Sequence, residues 1–152
     1  MQNYRLFGER FDFYKKEIEK YPELADLFEE NGEINMRYYF APLEGITDAT
    51  FRSLHHKYFP GVDRYFMPFI SPTIHRCLTN REARELPKAD SVPFTAVPQL
   101  LGKNVEDMLW ALEVCADCGY DEVNINLGCP SGTVVSKGKG SGMLTDPFAL
   151  DE

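Results

Sequence analysis

The sequence predicts an α/β fold built on a parallel sheet, and three observations predict it. From residue 36 onward, short apolar runs alternate with helical stretches. The links between them are short, as strand–helix–strand units with parallel strands require. Pro42, Gln99 and Asn126, the candidate ligand residues, all fall where a strand is expected to end. In parallel α/β folds that is the ligand side. About four such strands fit either a small doubly wound domain or half of an eight-stranded barrel.

The elements follow in order. Tyr38-Tyr39-Phe40-Ala41 reads as a buried strand stopped by Pro42. Thr47 or Asp48 caps a helix carrying Phe51, Leu54 and Tyr58 on one face, and Pro60-Gly61 ends it. Arg64 to Met67 is a second strand. Residues 71–90 are polar and hold a loop and a short helix. Phe94 to Leu100 is a third strand, with Pro98 inside it, where proline removes a backbone donor. Asn104, with Asp107 three residues on, resembles a capping box. The helix it opens packs Val105, Met108, Leu109, Leu112 and Cys115, and Gly119 closes it. Glu122 to Asn126 is the fourth strand. A glycine-rich loop follows, and Thr145-Asp146-Pro147 begins another helix.

Residues 1–35 form a charged leader with five Lys/Arg and nine Asp/Glu. Phe7, Phe11, Tyr14, Ile18, Tyr21, Leu24 and Leu27 recur at spacings of three and four, which predicts an amphipathic helix. Pro22 would start or break it, and Asn31-Gly32 would stop it. The expected domains are therefore a helical extension over 1–35 and an α/β domain over 36–152.

The formal charge of −8 argues against binding nucleic acid through bulk electrostatics. Charge is uneven, however: 131–145 holds Lys137 and Lys139 and no acid. No apolar run approaches the ~20 residues of a membrane helix. The charged N-terminus lacks a signal-peptide stretch, so a cytoplasmic protein with reduced thiols is expected.

Chemistry concentrates after the fourth strand. Cys129 stands in Asn126-Leu127-Gly128-Cys129-Pro130. Gly128 permits a sharp turn and Pro130 stiffens the exit. A thiol so placed is positioned as a nucleophile or acid; a buried structural cysteine is the competing reading. Asn124 and Asn126 share one strand face and need partners, from a polar lumen under a ligand or from neighbouring backbone. Cys115-x-x-Cys118 lies inside a helix and lacks a second pair for a zinc site. His55, His56 and His75 have no ligand-like spacing. Gly138-Lys139-Gly140-Ser141-Gly142 is neither a P-loop nor a dinucleotide fingerprint. It reads either as a flexible loop or as a lid whose Lys137 and Lys139 touch RNA phosphates.

Three segments carry a resemblance. Ala41-Pro42-Leu43-Glu44-Gly45-Ile46-Thr47-Asp48 resembles the opening strand motif of the tRNA-dihydrouridine synthases. Val97-Pro98-Gln99-Leu100-Leu101-Gly102 looks like their third strand, and Asn124-Ile125-Asn126-Leu127-Gly128-Cys129-Pro130 is similar to their active-site signature. Gly140-Ser141-Gly142-Met143-Leu144 and Asp146-Pro147 continue the match. Family order and spacing hold over 36–152. The resemblance implies the N-terminal half of a (β/α)8 TIM barrel carrying FMN. It also implies reduction of the 5,6 double bond of tRNA uridine, with NADPH as donor and tRNA as partner. By resemblance, Cys129 protonates uracil C5. Asn126 would help hold the unstacked base. Ala41, Pro42 and Leu43 would line the flavin ring, and Gln99 would bond its pyrimidine edge.

Departures accompany the match. Leu43 stands where many members have methionine, a mild change. The chain ends before the family's fifth strand with its FMN-contacting lysine, and before its helical RNA-binding domain. A full barrel takes about 250 residues, so the resemblance implies a fragment, or half of an assembly completed by self-association or a missing C-terminal half. Two further alternatives stay open: an inactive remnant without flavin, and a flavin enzyme reducing a free pyrimidine.

Overall fold

The computed structural model describes residues 20, 37–146, 148 and 150. The chain divides into two compact units, Met1–Arg37 and Tyr38–Glu152. The predicted leader helix through Phe7 and Leu27 lies outside the described residues, as do Pro147 and Ala149 of the expected last helix; Phe148 and Leu150 have helical backbone.

The second unit is α/β with parallel strands. Its elements are β1 (Tyr39–Phe40), α1 (Ala49–Tyr58), β2 (Arg64–Phe66), α2 (Asn80–Glu85), a 3-10 turn (Ala89–Ser91), β3 (Ala96–Val97), β4 (Gln99–Leu100), α3 (Val105–Asp117), β5 (Asn124–Ile125), α4 (Gly132–Val135) and a 3-10 turn (Gly140–Thr145). β1 pairs with β2, β2 with β3, and β4 with β5, all parallel. The strands fall into two ladders, β1-β2-β3 and β4-β5, in sequence order, and each crossover within a ladder carries helix; β3 and β4 follow one another across Pro98 without pairing.

Pro98 explains why the third strand is divided into β3 and β4. The carbonyls of Thr95, Val97 and Gln99 accept from Tyr65, Met67 and Ile70 on one side. Those of Pro98 and Leu100 accept from Asn124 and Asn126 on the other. In a parallel strand a residue's N–H and C=O point the same way, so proline removes a donor only on the β5 side. The β2 ladder is untouched, and β5 engages from the Pro98 carbonyl onward. The expected central strand is therefore real, and its proline sits where it costs one bond.

Helix starts follow local chemistry. Asp48 Oδ1 accepts from the Phe51 N–H, and Asn104 Oδ1 accepts from the Asp107 N–H at 3.0 Å. Thr79 and Glu82 form a full capping box on α2. Gly119, at φ +89°, ends α3.

Two expected helix faces differ. On α1, Phe51, Leu54 and Tyr58 are exposed and Arg52 is buried. Arg52 Nη1 donates to Thr47 O and Glu85 Oε2, and Nη2 to Glu85 O. Burying a guanidinium requires such partners, and they fix which side of α1 turns inward. On α3, Ala111 and Cys115 are buried, with Met108, Trp110 and Val114 packed beside them; Val105, Leu109 and Leu112 are exposed. The core joins these to Met67, Ile70, Leu86, Leu100 and Tyr120. No helix among the described residues is long and apolar enough to cross a membrane.

Candidate active site

The site is built where β4 and β5 end. Register pairs Gln99 with Asn124, so the three amides of Gln99, Asn124 and Asn126 are brought together by the ladder itself. Gln99 Nε2 donates to Asn124 Oδ1 at 2.7 Å. Asn126 Nδ2 donates to Gln99 Oε1 at 2.9 Å. Asn126 Oδ1 accepts from the backbone N–H groups of Gly128 at 3.1 Å and Cys129 at 2.9 Å. Of the two expected sources, neighbouring backbone serves Asn126 Oδ1, and the Gln99 side chain, which the sequence did not suggest as a partner, serves both asparagines.

The turn to the thiol rests on that side chain. Asparagine capping the N–H groups two and three residues on is a local turn device. Gly128 is not at positive φ, and a Cβ there would meet nothing within 4 Å. The sharp turn expected from Gly128 is thus made by Asn126, and the space at Gly128 opens on the cleft.

Gln99, Asn126 and Cys129 line one cleft of ≈ 310 Å³ together with Pro42, Asn124 and Gly128. Gln99 is buried and Cys129 half-buried. Ala41 and Leu43 are exposed and do not line this cleft. The Leu43 carbonyl accepts from the Ile46 and Thr47 N–H groups, and Gly45 takes φ +77°. That tight turn carries Leu43 outward.

The glycine-rich segment is a folded packing element. α4 and the following 3-10 turn fold back on Cys129. Ser141 donates through N–H and hydroxyl to the Cys129 carbonyl. Gly140, at φ +57°, packs so closely that a Cβ would lie 2.7 Å from Cys129 O and 3.0 Å from Cys129 Cβ. The sequence places Gly140 and Ser141 in a loop or lid and in the family match, but nothing local to them signals their packing on Cys129. Lys137 is exposed. Lys139 is half-buried, and its Nζ donates to Ser71 Oγ at 3.2 Å. Burial, then the charges of Lys137 and Lys103, hold its pKa below the ordinary lysine value against the pull of Asp107.

The other candidates separate from the site. Burial, then Cys118, pushes the Cys115 thiol up to about 11. Cys77 is exposed. His55 Nδ1 meets the Tyr65 hydroxyl at 3.0 Å, whereas His56 Nδ1 is buried without a partner. No group of His, Cys, Asp or Glu among the described residues could hold a metal ion.

A flavin was the cofactor implied by resemblance, and the donor set fits one edge of it. After the amide contacts are counted, one hydrogen on Gln99 Nε2 and both on Asn124 Nδ2 remain uncommitted. Both residues line the cleft. The pyrimidine edge of a flavin presents carbonyl acceptors, which such donors match.

The chain is similar to known proteins of one family. A family model described as dihydrouridine synthase (Dus) matches residues 39–152. A probable tRNA-dihydrouridine synthase of Rhizobium leguminosarum bv. phaseoli is 30% identical over 115 residues, covering 75% of this chain and 35% of the relative. The tRNA-dihydrouridine synthase B of Proteus vulgaris is 32% identical over 112 residues, covering 74% and 34%. The chain spans about a third of the length of these curated relatives.

Proposed function

The chain belongs to the dihydrouridine synthase family, and from that premise we propose that it is the thiol-bearing part of an FMN-dependent tRNA-dihydrouridine synthase. The observation that supports this most is the cleft shared by Cys129 and the Gln99–Asn126 amides. FMN, when bound, supplies the hydride that reaches uracil C6, and NADPH renews it.

The chain's own residues do the rest. Gln99 and Asn124 offer N–H groups to the pyrimidine edge of the flavin. Pro42 bounds the cleft, whereas Ala41 and Leu43, the ring contacts that the resemblance implies, lie outside it. Cys129 Sγ–H gives its proton to uracil C5 as negative charge builds there and on the C4 carbonyl. Asn126 has one Nδ2 hydrogen left with which to hold the unstacked base. Lys137 is exposed and offers its charge to a tRNA phosphate; Lys139 contributes its field while Nζ is engaged by Ser71.

The test is Cys129→Ala in the full chain, with FMN retention read from visible absorbance and dihydrouridine formation read on tRNA. Loss of product with flavin retained is expected. Wild-type turnover by that variant would remove Cys129 from the role of acid.

A further inference from the structure

We propose that Asn126 is a positioning residue that sets the direction of the amide relay. Its oxygen holds the Cys129 turn, and its nitrogen forces Gln99 and Asn124 to present donors to the cleft. The second half rests on the reading that a flavin edge meets those donors.

The direction is fixed from the backbone outward. Two N–H groups, of Gly128 and Cys129, converge on the Asn126 side chain at 3.1 and 2.9 Å. Only an oxygen can face them, because Nδ2 in that place would set donor against donor. Asn126 Nδ2 must therefore face Gln99, which can answer only with Oε1. Gln99 Nε2 is then turned to Asn124, which can answer only with Oδ1. An isolated amide leaves its two ends interchangeable; here each is determined by the one before it. The hydrogens left over all belong to nitrogen, so the relay offers the cleft donors.

A substitution separates the two roles. In Asn126→Asp one carboxylate oxygen still accepts from the turn, and two backbone donors favour its ionised form. The other oxygen now requires a donor from Gln99. Gln99 rotates, its Oε1 faces Asn124, and Asn124 rotates in turn. The relay is reversed while the thiol turn is kept. Asn126→Ala removes both.

The experiment uses the full chain as wild type, Asn126→Asp and Asn126→Ala. FMN affinity is read by fluorescence quenching. The pH profile of Cys129 alkylation by iodoacetamide is read by peptide mass spectrometry, and thermal melts establish that each variant is folded. Asn126→Asp should weaken FMN about tenfold or more while Cys129 alkylates within about threefold of wild type. Asn126→Ala should change both the affinity and the thiol's pH profile. A merely structural Asn126 would move the melts and leave the thiol profile of folded protein unchanged, which overturns the positioning role. Wild-type FMN affinity in Asn126→Asp overturns the relay direction. A wild-type chain that binds no FMN overturns the flavin reading and the donor half with it, while the thiol profile of Asn126→Ala still decides the turn.

Discussion

Ser141 donates to the carbonyl oxygen of Cys129 twice, through its N–H and through its hydroxyl, each at 3.1 Å. The segment that follows the thiol in sequence thus returns to clamp it. Gly140 makes the return possible, since its φ of +57° and its closeness to Cys129 exclude a side chain. Gly140→Ala should lower stability by about 1–3 kcal/mol and displace the thiol. Thermal unfolding and tRNA turnover check this together. Gly128→Ala, with open space around it, should leave the melting temperature nearly unchanged.

Lys139 ties the same segment to the connection that follows β2 through Ser71. Lys139→Met keeps the stem and removes the bond. Amide hydrogen exchange over 131–145 should quicken, while exchange in α3 should not. Equal protection in both proteins would make Lys139 a surface charge only.

The thiols should rank by burial. Cys115, raised to about 11 mainly by burial, should resist iodoacetamide at neutral pH in the native protein. Exposed Cys77 should label first, and Cys115 only after denaturation. Peptide mass spectrometry of partially labelled protein reads the order directly.

Tyr120 makes stability sensitive to alkali. Its hydroxyl donates to Pro87 O at 2.6 Å, and burial pushes its pKa from 10.0 to about 12. The folded state disfavours the phenolate. Its contribution is therefore complete below pH 10 and lost as pH rises towards 12. Tyr120→Phe should cost about 1–3 kcal/mol at neutral pH by stranding the Pro87 carbonyl. Denaturant melts from pH 9 to 12 should then show a shallower fall for the variant than for wild type.

Glu82 works in the opposite direction. Burial raises its pKa, but the N–H groups of Ser71 and Thr79 and the Thr79 hydroxyl outweigh that and leave it below the ordinary carboxylate value of 4.5. A depressed carboxyl stabilises above its unfolded pKa and loses that as pH falls through the folded value. Glu82→Ala should cost about 3 kcal/mol at neutral pH, because three charge-assisted bonds end on one side chain. The gap to wild type should narrow in urea melts below pH 4.5.

Much of this was legible in the residues. Period and turn chemistry located runs that form parallel strands, and Asp48, Asn104 and Gly119 marked helix ends because capping is a local hydrogen-bond problem. Asn124 and Asn126 announced a need for partners because two amides on one strand face call for hydrogen bonds once they are partly buried. What failed was the assignment of faces. The apolar stripe of α1 is exposed because Arg52 finds Glu85, which is 33 residues away. A periodicity argument has no access to that ion pair. The same limit applies to Gly128, credited with a turn that a side chain two residues earlier makes.

The sequence by itself determined the order of strands and helices, the thiol at a strand end, and the family signature, since each depends on residues near one another in the chain. Only the tertiary structure decided that Gln99 bridges two asparagines of another strand, that Asn126 holds the thiol's turn, and that Gly140 and Ser141 press back on Cys129. Those contacts come from strand register and chain return, which bring together atoms whose separation along the chain says nothing of their separation in space.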